Sequence, residues 1–210
     1  PGLPVQGIGL VRDRLRAKGP GRRRLGIDPR ALVLGFHGRL RPWHGFEIVA
    51  DAAARALGAG RLVHVLVVGA GDFEAQLAHP ALKEHHTLVP WVPQAELGDF
   101  VACFDALALG FPAGAPCYFS PLKLLEAMAA GAVPVVPALG DLQQLVRHRQ
   151  NGLVYAPGDV SDLARALTSL ADEPSERRRL GSAALEDARG RTWEALVREV
   201  LRATTRAVVR

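Results

Sequence analysis

The sequence predicts an α/β fold, a doubly wound parallel sheet of about six strands with helices on both faces. Short apolar runs alternate with segments of helical periodicity from about residue 31 to residue 190. Several runs are apolar along their whole length, as in AVPVVPA at residues 132–138, so both faces of these strands should be buried. Parallel strands joined by crossover helices account for both observations.

The predicted strands and helices follow one another in order. The strands are placed at residues 31–38, 61–69, 86–92, 105–111, 132–138 and 152–156. The helices are placed at residues 43–57, 72–78, 94–104, 121–130 and 141–148, with three terminal helices from Val160 onward. In such a sheet, ligands bind outside the carboxyl ends of the strands, so we expect the functional residues in the loops that leave the strands.

The pattern divides the chain into three parts. Residues 1–30 mix Pro, Gly and Arg with little periodicity and suit a linker that leads irregularly into the domain. Residues 31–190 form the α/β domain, and residues 191–210 form an amphipathic C-terminal helix. The chain begins with Pro1 and its only methionine is Met128, so we expect it to be part of a longer polypeptide.

Composition excludes several classes of protein. The net charge is +5, but the basic residues are spread along the chain, so we expect no nucleic-acid binding. No apolar run approaches the ~20 residues of a membrane-spanning helix. Cys103 and Cys117 are too few for a disulfide framework and favour a reducing, cytoplasmic location. The seven histidines lack metal-ligand spacing, so we predict no metal site.

The stretch YFSPLKLLEAMAAGAVPVV, residues 118–136, contains a well-marked helix start. Ser120 can cap the helix, and Pro121 suits its first position, where no N–H is needed. Gly131 can adopt the left-handed conformation that ends it. The unpaired N–H groups at such a start attract anions.

Two charged residues lie within this helix. Leu122, Leu125 and Met128 predict an apolar stripe, which places Lys123 and Glu126 together on the other side. An ammonium beside a helix start suits a phosphate, and a carboxylate one turn later can accept hydrogen bonds from the vicinal hydroxyls of a ribose. The pattern therefore indicates a nucleotide site. The alternative is an ordinary surface ion pair, and spacing alone does not decide between them.

The loop GFHGRLRPWHG, residues 35–45, supplies further candidates. Gly38 leaves room for close backbone approach, and Arg39 can form a planar fork to phosphate oxygens. His44 precedes the next helix. Taken alone, this loop is better explained as a glycine turn with an exposed arginine. A binding role is favoured only when the loop is considered together with the helix that contains Lys123.

A third loop, VVGAGDFEA at residues 67–75, invites a dinucleotide interpretation. Glu74 occupies the position of the last glycine in the full GxGxxG pattern, and the loop follows the second strand of the domain rather than the first. We therefore predict a turn followed by a helix start. An NAD-dependent oxidoreductase is accordingly a weak alternative.

Together these segments resemble the C-terminal, donor-binding domain of retaining GT-B glycosyltransferases of family 4. The resemblance rests on five stretches in the right order, and the most specific is SPLKLLEAMAAG, residues 120–131. They are GFHGRLRPWHG, LVVGAG, PWVPQAELGDFVACFDALALGFP, SPLKLLEAMAAGAVPVV and NGLVYAPGDVSDLARALTSLADEPSERRRLG. The similarity runs from about residue 30 onward and implies a Rossmann-like domain, one half of a GT-B fold.

The resemblance also implies roles for individual residues. Glu126 matches the glutamate that binds the ribose hydroxyls, and Arg39 matches the basic residue that holds the diphosphate. Lys123 should lie near the phosphates or the sugar, and these three residues are the catalytic candidates. The implied donor-binding set is Gly38, Arg39, His44, Trp91, Val92, Tyr118, Ser120, Pro121, Leu122, Lys123 and Glu126. The implied donor is a nucleotide-diphosphate sugar, with no cofactor and no metal.

Three positions depart from the family pattern. Tyr118 occupies the place of a second glutamate, which puts contacts to the donor sugar in doubt. His44 stands where lysine is common, and histidine is a weaker phosphate ligand at neutral pH because its ordinary pKa is ~6.5. Gln144 replaces a glutamate after the fifth strand. A divergent or weakly active enzyme is therefore one expectation.

In the resembling family the acceptor site belongs to an N-terminal domain of the same polypeptide. This chain alone should then bind nucleotide and transfer little or no sugar. The alternative is a non-catalytic nucleotide-binding or interaction module derived from such a domain, which Tyr118 and His44 favour slightly.

The last predicted helix carries Arg198, Arg202, Arg206 and Arg210 at four-residue spacing beside apolar residues. A basic amphipathic helix of this kind can lie on an anionic membrane, here the inner face of the membrane. A solvated face on a packed helix is the simpler interpretation.

Overall fold

The computed structural model describes residues 18–115, 122–191, 197–198 and 201. Its strands form one parallel six-stranded sheet in the order β3-β2-β1-β4-β5-β6. The strands are β1 (Leu32–Arg39), β2 (Val63–Ala70), β3 (His86–Val89), β4 (Ala106–Ala108), β5 (Val133–Pro137) and β6 (Leu153–Tyr155). This arrangement confirms the predicted doubly wound α/β class.

The described helices alternate with these strands. They are α1 (Lys18–Arg24), α2 (Phe46–Gly58), α3 (Phe73–Gln76), α4 (Gln94–Val101), α5 (Leu122–Ala129), α6 (Leu142–Leu145), α7 (Val160–Asp172) and α8 (Pro174–Arg189). Short 3₁₀ turns occur at Pro42–His44 and Pro80–Leu82. Within the described ranges, none of the helices has the length and hydropathy that a bilayer-crossing segment needs.

Side chains of the sheet separate into two cores. Leu34 and Phe36 of β1 pack on the face covered by α2 and α7. Val33 packs on the opposite face, with Phe104 and the buried side of α5. Because side chains alternate along a strand, the central strand contributes to both layers, and burial on both faces explains its continuous apolar run.

Local sequence signals explain several helix boundaries. The Asp159 side chain accepts a 2.9 Å hydrogen bond from the Asp162 N–H at the start of α7, and Asp72 caps α3 in the same way through Ala75. Pro174 occupies the first position of α8, where its missing N–H costs nothing. The predicted turn and helix start after β2 are confirmed.

The sheet reverses its order between β1 and β4, which are neighbours although they are far apart in sequence. Connections leave these two strands toward opposite faces, and ligands of doubly wound sheets bind at the carboxyl ends of the strands at such a switch point. Residues 40–45 follow β1, and residues 109–121 follow β4. Of the residues singled out from sequence, Gly38 and Arg39 end β1 and His44 follows it, at this switch point.

Two glycines allow the loops after β1 and β4 to touch. A Cβ atom built on Gly110 would lie 2.0 Å from the Gly45 carbonyl oxygen, and one on Gly45 would lie 2.1 Å from the Gly110 oxygen. Gly45 also has φ of 53°, which side chains disfavour. Neither position accepts a larger residue without moving a loop.

The segment before the sheet differs from its prediction. Residues 1–30 were expected to be irregular, but Lys18–Arg24 form α1. The Arg22 guanidinium forms a 2.8 Å ion pair with Asp105 and donates to the Cys103 carbonyl oxygen. This long-range anchor stabilises a helix that its Gly- and Pro-containing sequence disfavours. The boundary at residue 30 stays a prediction.

Several predicted elements are shorter in the structure. The third strand ends at Val89, the helix at 94–104 ends at Val101, and the helix at 141–148 narrows to Leu142–Leu145. Of the terminal helices, α7 and α8 are present, and most of the third lies outside the described residues.

Candidate functional site

The side chains of Lys123, Glu126, His37 and His44 converge at the carboxyl ends of β1 and β4. The two charged residues come from the first turns of α5, and the two histidines come from β1 and from the 3₁₀ turn after it. They are joined by contacts of 3.4 Å between Lys123 Nζ and His44 Nε2 and between Glu126 Oε2 and His37 Nε2. The sequence predicted three of these four residues.

Lys123 extends across the end of the sheet. Its Nζ atom lies 3.9 Å from the centroid of the Phe36 ring, on the side of β1 opposite to His37, in a cation–π arrangement. Burial lowers the pKa of Lys123 to about 8, although the Glu126 carboxylate opposes this shift. The ammonium is therefore charged at neutral pH and poorly solvated, which favours an anion as its partner.

His44 is half-buried and neutral. Burial, with the positive charges of Lys123 and Arg41, lowers the pKa of its imidazole to about 4. The Arg41 N–H lies 3.2 Å from Nδ1, which favours the tautomer with its hydrogen on Nε2. His44 can then donate one neutral hydrogen bond to an oxyanion.

Glu126 is mostly buried, with 16% of its side-chain surface exposed. Burial raises the pKa of its carboxyl group to about 7, and the Lys123 ammonium offsets only part of this increase. The group is thus divided between its ionised and protonated forms near neutral pH. A buried carboxylate held this way gains from any donor that binds it, such as a hydroxyl.

His37 is the site residue that the sequence analysis missed. It is 4% exposed, and burial together with the Lys123 charge lowers the pKa of its ring to about 4. Its Nε2 atom lies 3.4 Å from Glu126 Oε2 and 3.4 Å from the Lys123 carbonyl oxygen. Because the ring is neutral at pH 7, the contact with Glu126 is not an ion pair. The available signal was a histidine inside an apolar strand, directly before Gly38.

Gly38 and Arg39 are the last two residues of β1, which ends one residue beyond the predicted strand at residues 31–38. Gly38 has φ of 102°, and a Cβ atom built on it would meet nothing within 4 Å. A glycine is therefore favoured at position 38 by its backbone conformation and not by crowding. The crowded position is Gly69 on the neighbouring strand, where a Cβ atom would lie 2.0 Å from the Gly38 oxygen. Arg39 is exposed and, within the described ranges, forms no salt bridge.

The remaining candidates lie on the same edge of the sheet or outside the description. Trp91 and Val92 follow β3, with Trp91 67% exposed and Val92 packed partly on the core. Leu122 begins α5 and is 40% exposed. Tyr118, Ser120 and Pro121 lie outside the described residues, so their proposed roles stay predictions.

The predicted apolar stripe of α5 was wrong in register. The buried face consists of Leu124, Ala127 and Met128, while Leu122 is exposed. Lys123 and Glu126 therefore border the packed face instead of lying on its solvated opposite. This position explains why both charges are buried enough to shift their pKa values.

The arrangement offers donors and an acceptor to one ligand. Lys123, His44 and the exposed Arg39 can donate to oxyanions, and Glu126 can accept from hydroxyls. Among the described residues, no group of three or more His, Cys, Asp or Glu side chains could hold a metal ion. A separate groove of about 300 Å³ between α1 and α4 shares none of these residues.

Comparisons with known proteins agree with this fold. Residues 31–173 match the family model described as glycosyl transferases group 1. A D-inositol 3-phosphate glycosyltransferase of Kribbella flavida is 30% identical over 197 residues, covering 87% of this chain and 45% of that protein. The enzyme of the same name from Stackebrandtia nassauensis is 32% identical over 216 residues, covering 94% and 46%. The chain thus spans about half the length of these relatives.

Solved structures share the fold. The Anabaena protein HepE in complex with UDP superposes with a TM-score of 0.78 at 23% identity, over 95% of this chain and 55% of that chain. The C-terminal domain of a group 1 family glycosyl transferase from Francisella tularensis gives a TM-score of 0.69 at 18% identity, over 83% of this chain and 92% of that one. The chain belongs to the glycosyl transferases group 1 family.

Proposed function

We propose that this chain is the donor-binding half of a GT-B glycosyltransferase that uses a nucleotide-diphosphate sugar. The single observation that carries the proposal is the convergence of Lys123, His44 and Glu126 at the carboxyl ends of β1 and β4. Ligands of doubly wound sheets bind at this switch point. A uridine nucleotide is the first donor to test, because HepE is described with UDP and with UDP-glucose.

In the proposed complex, each end of the nucleotide meets a different group. The diphosphate lies against the Lys123 ammonium and the neutral His44 N–H, within reach of the exposed Arg39 guanidinium. The Glu126 carboxylate accepts hydrogen bonds from the ribose hydroxyls. Trp91 is exposed after β3 and offers an apolar surface to the base.

The catalytic contribution of this half is electrostatic. Cleavage of the bond between the sugar and the phosphate builds negative charge on the departing diphosphate, and preorganised cationic donors stabilise that charge. Lys123 and Arg39 supply the positive charges, and the proposal requires neither a cofactor nor a metal ion. Retention of the anomeric configuration and membership of family 4 belong to the proposal and rest on the sequence resemblance.

The acceptor site and the remaining catalytic groups are assigned to an N-terminal domain. The lengths of the relatives support this division, since the chain covers 45% and 46% of the two enzymes compared. The chain alone should therefore bind nucleotide and transfer little sugar.

Calorimetry with UDP, GDP and ADP tests the proposal. Wild type should bind at least one of them, and Glu126→Ala should weaken binding about 10-fold or more because a charge-assisted hydrogen bond is lost. Glu84→Ala is the matched control, since Glu84 is exposed just before β3, at the amino edge of the sheet. Failure of wild type to bind any of the three nucleotides would remove the proposed function.

The proposed membrane contact concerns the last helix. Val197 and Leu201 are 52% and 60% exposed, and Arg198 between them is exposed as well. Cytoplasmic location and contact with the inner membrane face stay predictions. Co-sedimentation with anionic liposomes, with and without residues 191–210, tests the contact, and equal partitioning of both forms contradicts it.

A further inference from the structure

His37 is a residue of β1, and its imidazole ring approaches the Glu126 carboxylate. Its Nε2 atom is 3.4 Å from Glu126 Oε2 and 3.4 Å from the Lys123 carbonyl oxygen. Both neighbours are hydrogen-bond acceptors. The ring nitrogen that faces them must therefore carry the hydrogen, which fixes the Nε2–H tautomer.

The surroundings of His37 keep the ring neutral and in place. Burial and the nearby Lys123 ammonium disfavour its protonated form. The ring stacks on Phe104 with an interplanar angle of 26° and a centroid distance of 6.3 Å. Gly35 makes room for Phe104, because a Cβ atom there would lie 2.1 Å from that ring. The imidazole is thus a rigid, uncharged donor.

Within the described ranges, His37 is the side chain shown in polar contact with the Glu126 carboxylate. The Glu126 side chain has three rotatable bonds, and fixing such a side chain costs up to ~2 kcal/mol of conformational entropy. Lys123 is one turn earlier on the same helix, and its Nζ is directed to His44 and the Phe36 ring. The His37 imidazole on β1 is therefore the donor that is placed to orient the Glu126 carboxylate.

We propose that His37 is a positioning residue, whose neutral Nε2–H holds one oxygen of the Glu126 carboxylate and leaves the other oxygen directed to the vicinal hydroxyls of a bound nucleotide. The inference rests on the proposed function for its ligand, but the 3.4 Å approach of His37 Nε2 to Glu126 Oε2 is present without ligand. His37 acts through Glu126 and touches no reacting atom.

The Glu126 carboxyl titration reports on this bond directly. A donor bound to the ionised form lowers a carboxyl pKa, so removing it raises that pKa. Lys123 of α5 and His37 of β1 are the titratable groups that act on or contact Glu126 in the described part of the chain. Because Lys123 is unchanged in a His37 variant, a change in the Glu126 titration is assigned to the imidazole.

Carbon-13 NMR of the glutamate carboxyl groups, followed against pH in the full chain without ligand, is the test. In His37→Met the pKa of Glu126 should rise by about one pH unit, the loss of one weak charge-assisted hydrogen bond. His37→Gln, which retains an N–H donor, should restore the wild-type titration. His64→Met is the matched control, a buried histidine on β2 that bonds to Thr87 and should leave Glu126 unchanged.

Nitrogen-15 NMR of the wild-type His37 ring provides a second measurement that needs no substitution. The Nε2–H tautomer supports the proposal, and the Nδ1–H tautomer overturns it, even if His37→Met does not fold. An unchanged Glu126 titration in a folded His37→Met also overturns it. UDP calorimetry on the same samples separates the proposed nucleotide binding from the positioning of Glu126 by His37. If wild type does not bind UDP, the nucleotide role is removed, and both NMR measurements still test the hydrogen bond.

Discussion

The Lys123 ammonium lies 3.4 Å from Nε2 of His44, a residue 79 positions earlier in the chain. This contact joins α5 to the turn after β1 across the switch point of the sheet. When His44 is neutral with its hydrogen on Nε2, Lys123 Nζ and His44 Nε2 are two hydrogen-bond donors that lie side by side. The pair therefore offers two donors to an oxyanion, and an anion placed between them relieves the unfavourable approach of the two donors.

We expect Lys123→Gln to weaken binding of UDP about 10- to 100-fold. The substitution removes a charged donor from the diphosphate, and such hydrogen bonds contribute about 1.5–3 kcal/mol. Isothermal titration calorimetry measures the effect. Lys83→Gln is the control, since Lys83 is exposed next to the Pro80–Leu82 turn and distant in the fold from α5. Equal losses in the two variants would show that the effect is not specific to the site.

Binding of UDP-glucose should depend on pH with a maximum between about 7 and 8. The Glu126 carboxyl, with a pKa of about 7, ionises as pH rises and becomes a better acceptor for the ribose. The Lys123 ammonium, with a pKa of about 8, loses its charge at higher pH. The donor itself does not titrate there, because both of its phosphates are esterified.

The two limbs of this profile are separable by substitution. Glu126→Gln should remove the acidic limb, and Lys123→Gln the alkaline limb, in affinities measured from pH 6 to 9. A wild-type affinity that is constant over this range contradicts the assignment of these groups to the site.

Glu126→Gln should stabilise the fold at neutral and alkaline pH. The folded pKa of about 7 lies above the ordinary 4.5, so the unfolded chain binds fewer protons between these values and stability falls as pH rises. Above pH 7 the full penalty of about 3 kcal/mol applies, and below 4.5 it is absent.

Urea unfolding of wild type and Glu126→Gln at pH 4.5 and pH 8 measures this difference. The variant should gain about 2–3 kcal/mol at pH 8 and little at pH 4.5. A gain of equal size at both values would show that the substitution acts through packing rather than charge.

Gly110→Ala should destabilise the fold by about 1–3 kcal/mol, since its Cβ would lie 2.0 Å from the Gly45 oxygen. The loops after β1 and β4 must separate to accept it, so nucleotide affinity should fall as well. Gly58→Ala is the control, because a Cβ at the end of α2 meets nothing within 4 Å. Thermal unfolding of both variants measures the loss of stability. Equal melting temperatures for Gly110→Ala and Gly58→Ala would contradict the close contact between Gly110 and the Gly45 oxygen.

The sequence was sufficient for the architecture and for much of the site. The alternation of buried strands with helices determines a doubly wound sheet, and in that sheet the loops after β1 and β4 meet by topology. Lys123 and His44 could therefore be assigned to one edge before any distance was known.

The register of α5 could not be predicted from its sequence. Leu122, Leu125 and Met128 are spaced as one helical stripe, and Leu124, Ala127 and Met128 as another. In a helix this rich in leucine, packing against the sheet and α8 selects the buried face. The contact of His37 with Glu126 is equally non-local, since it joins residues on separate elements through a tertiary packing that no short motif records.

The helix α1 was missed for a related reason. KGPGRRR has poor intrinsic helix propensity, so local signals predict an irregular segment. Its order depends on Arg22, which reaches the Cys103 carbonyl oxygen, 81 positions later, and the Asp105 carboxylate, two positions beyond that.

Nitrogen-15 NMR mapping of the chain titrated with UDP tests the central claim most directly. The account predicts that the largest shifts fall on the amides of residues 38–45 and 122–127 and on the Trp91 indole. Shifts concentrated around Gly21 and Phe100, in the groove between α1 and α4, or the absence of any shift at saturating UDP, would contradict it.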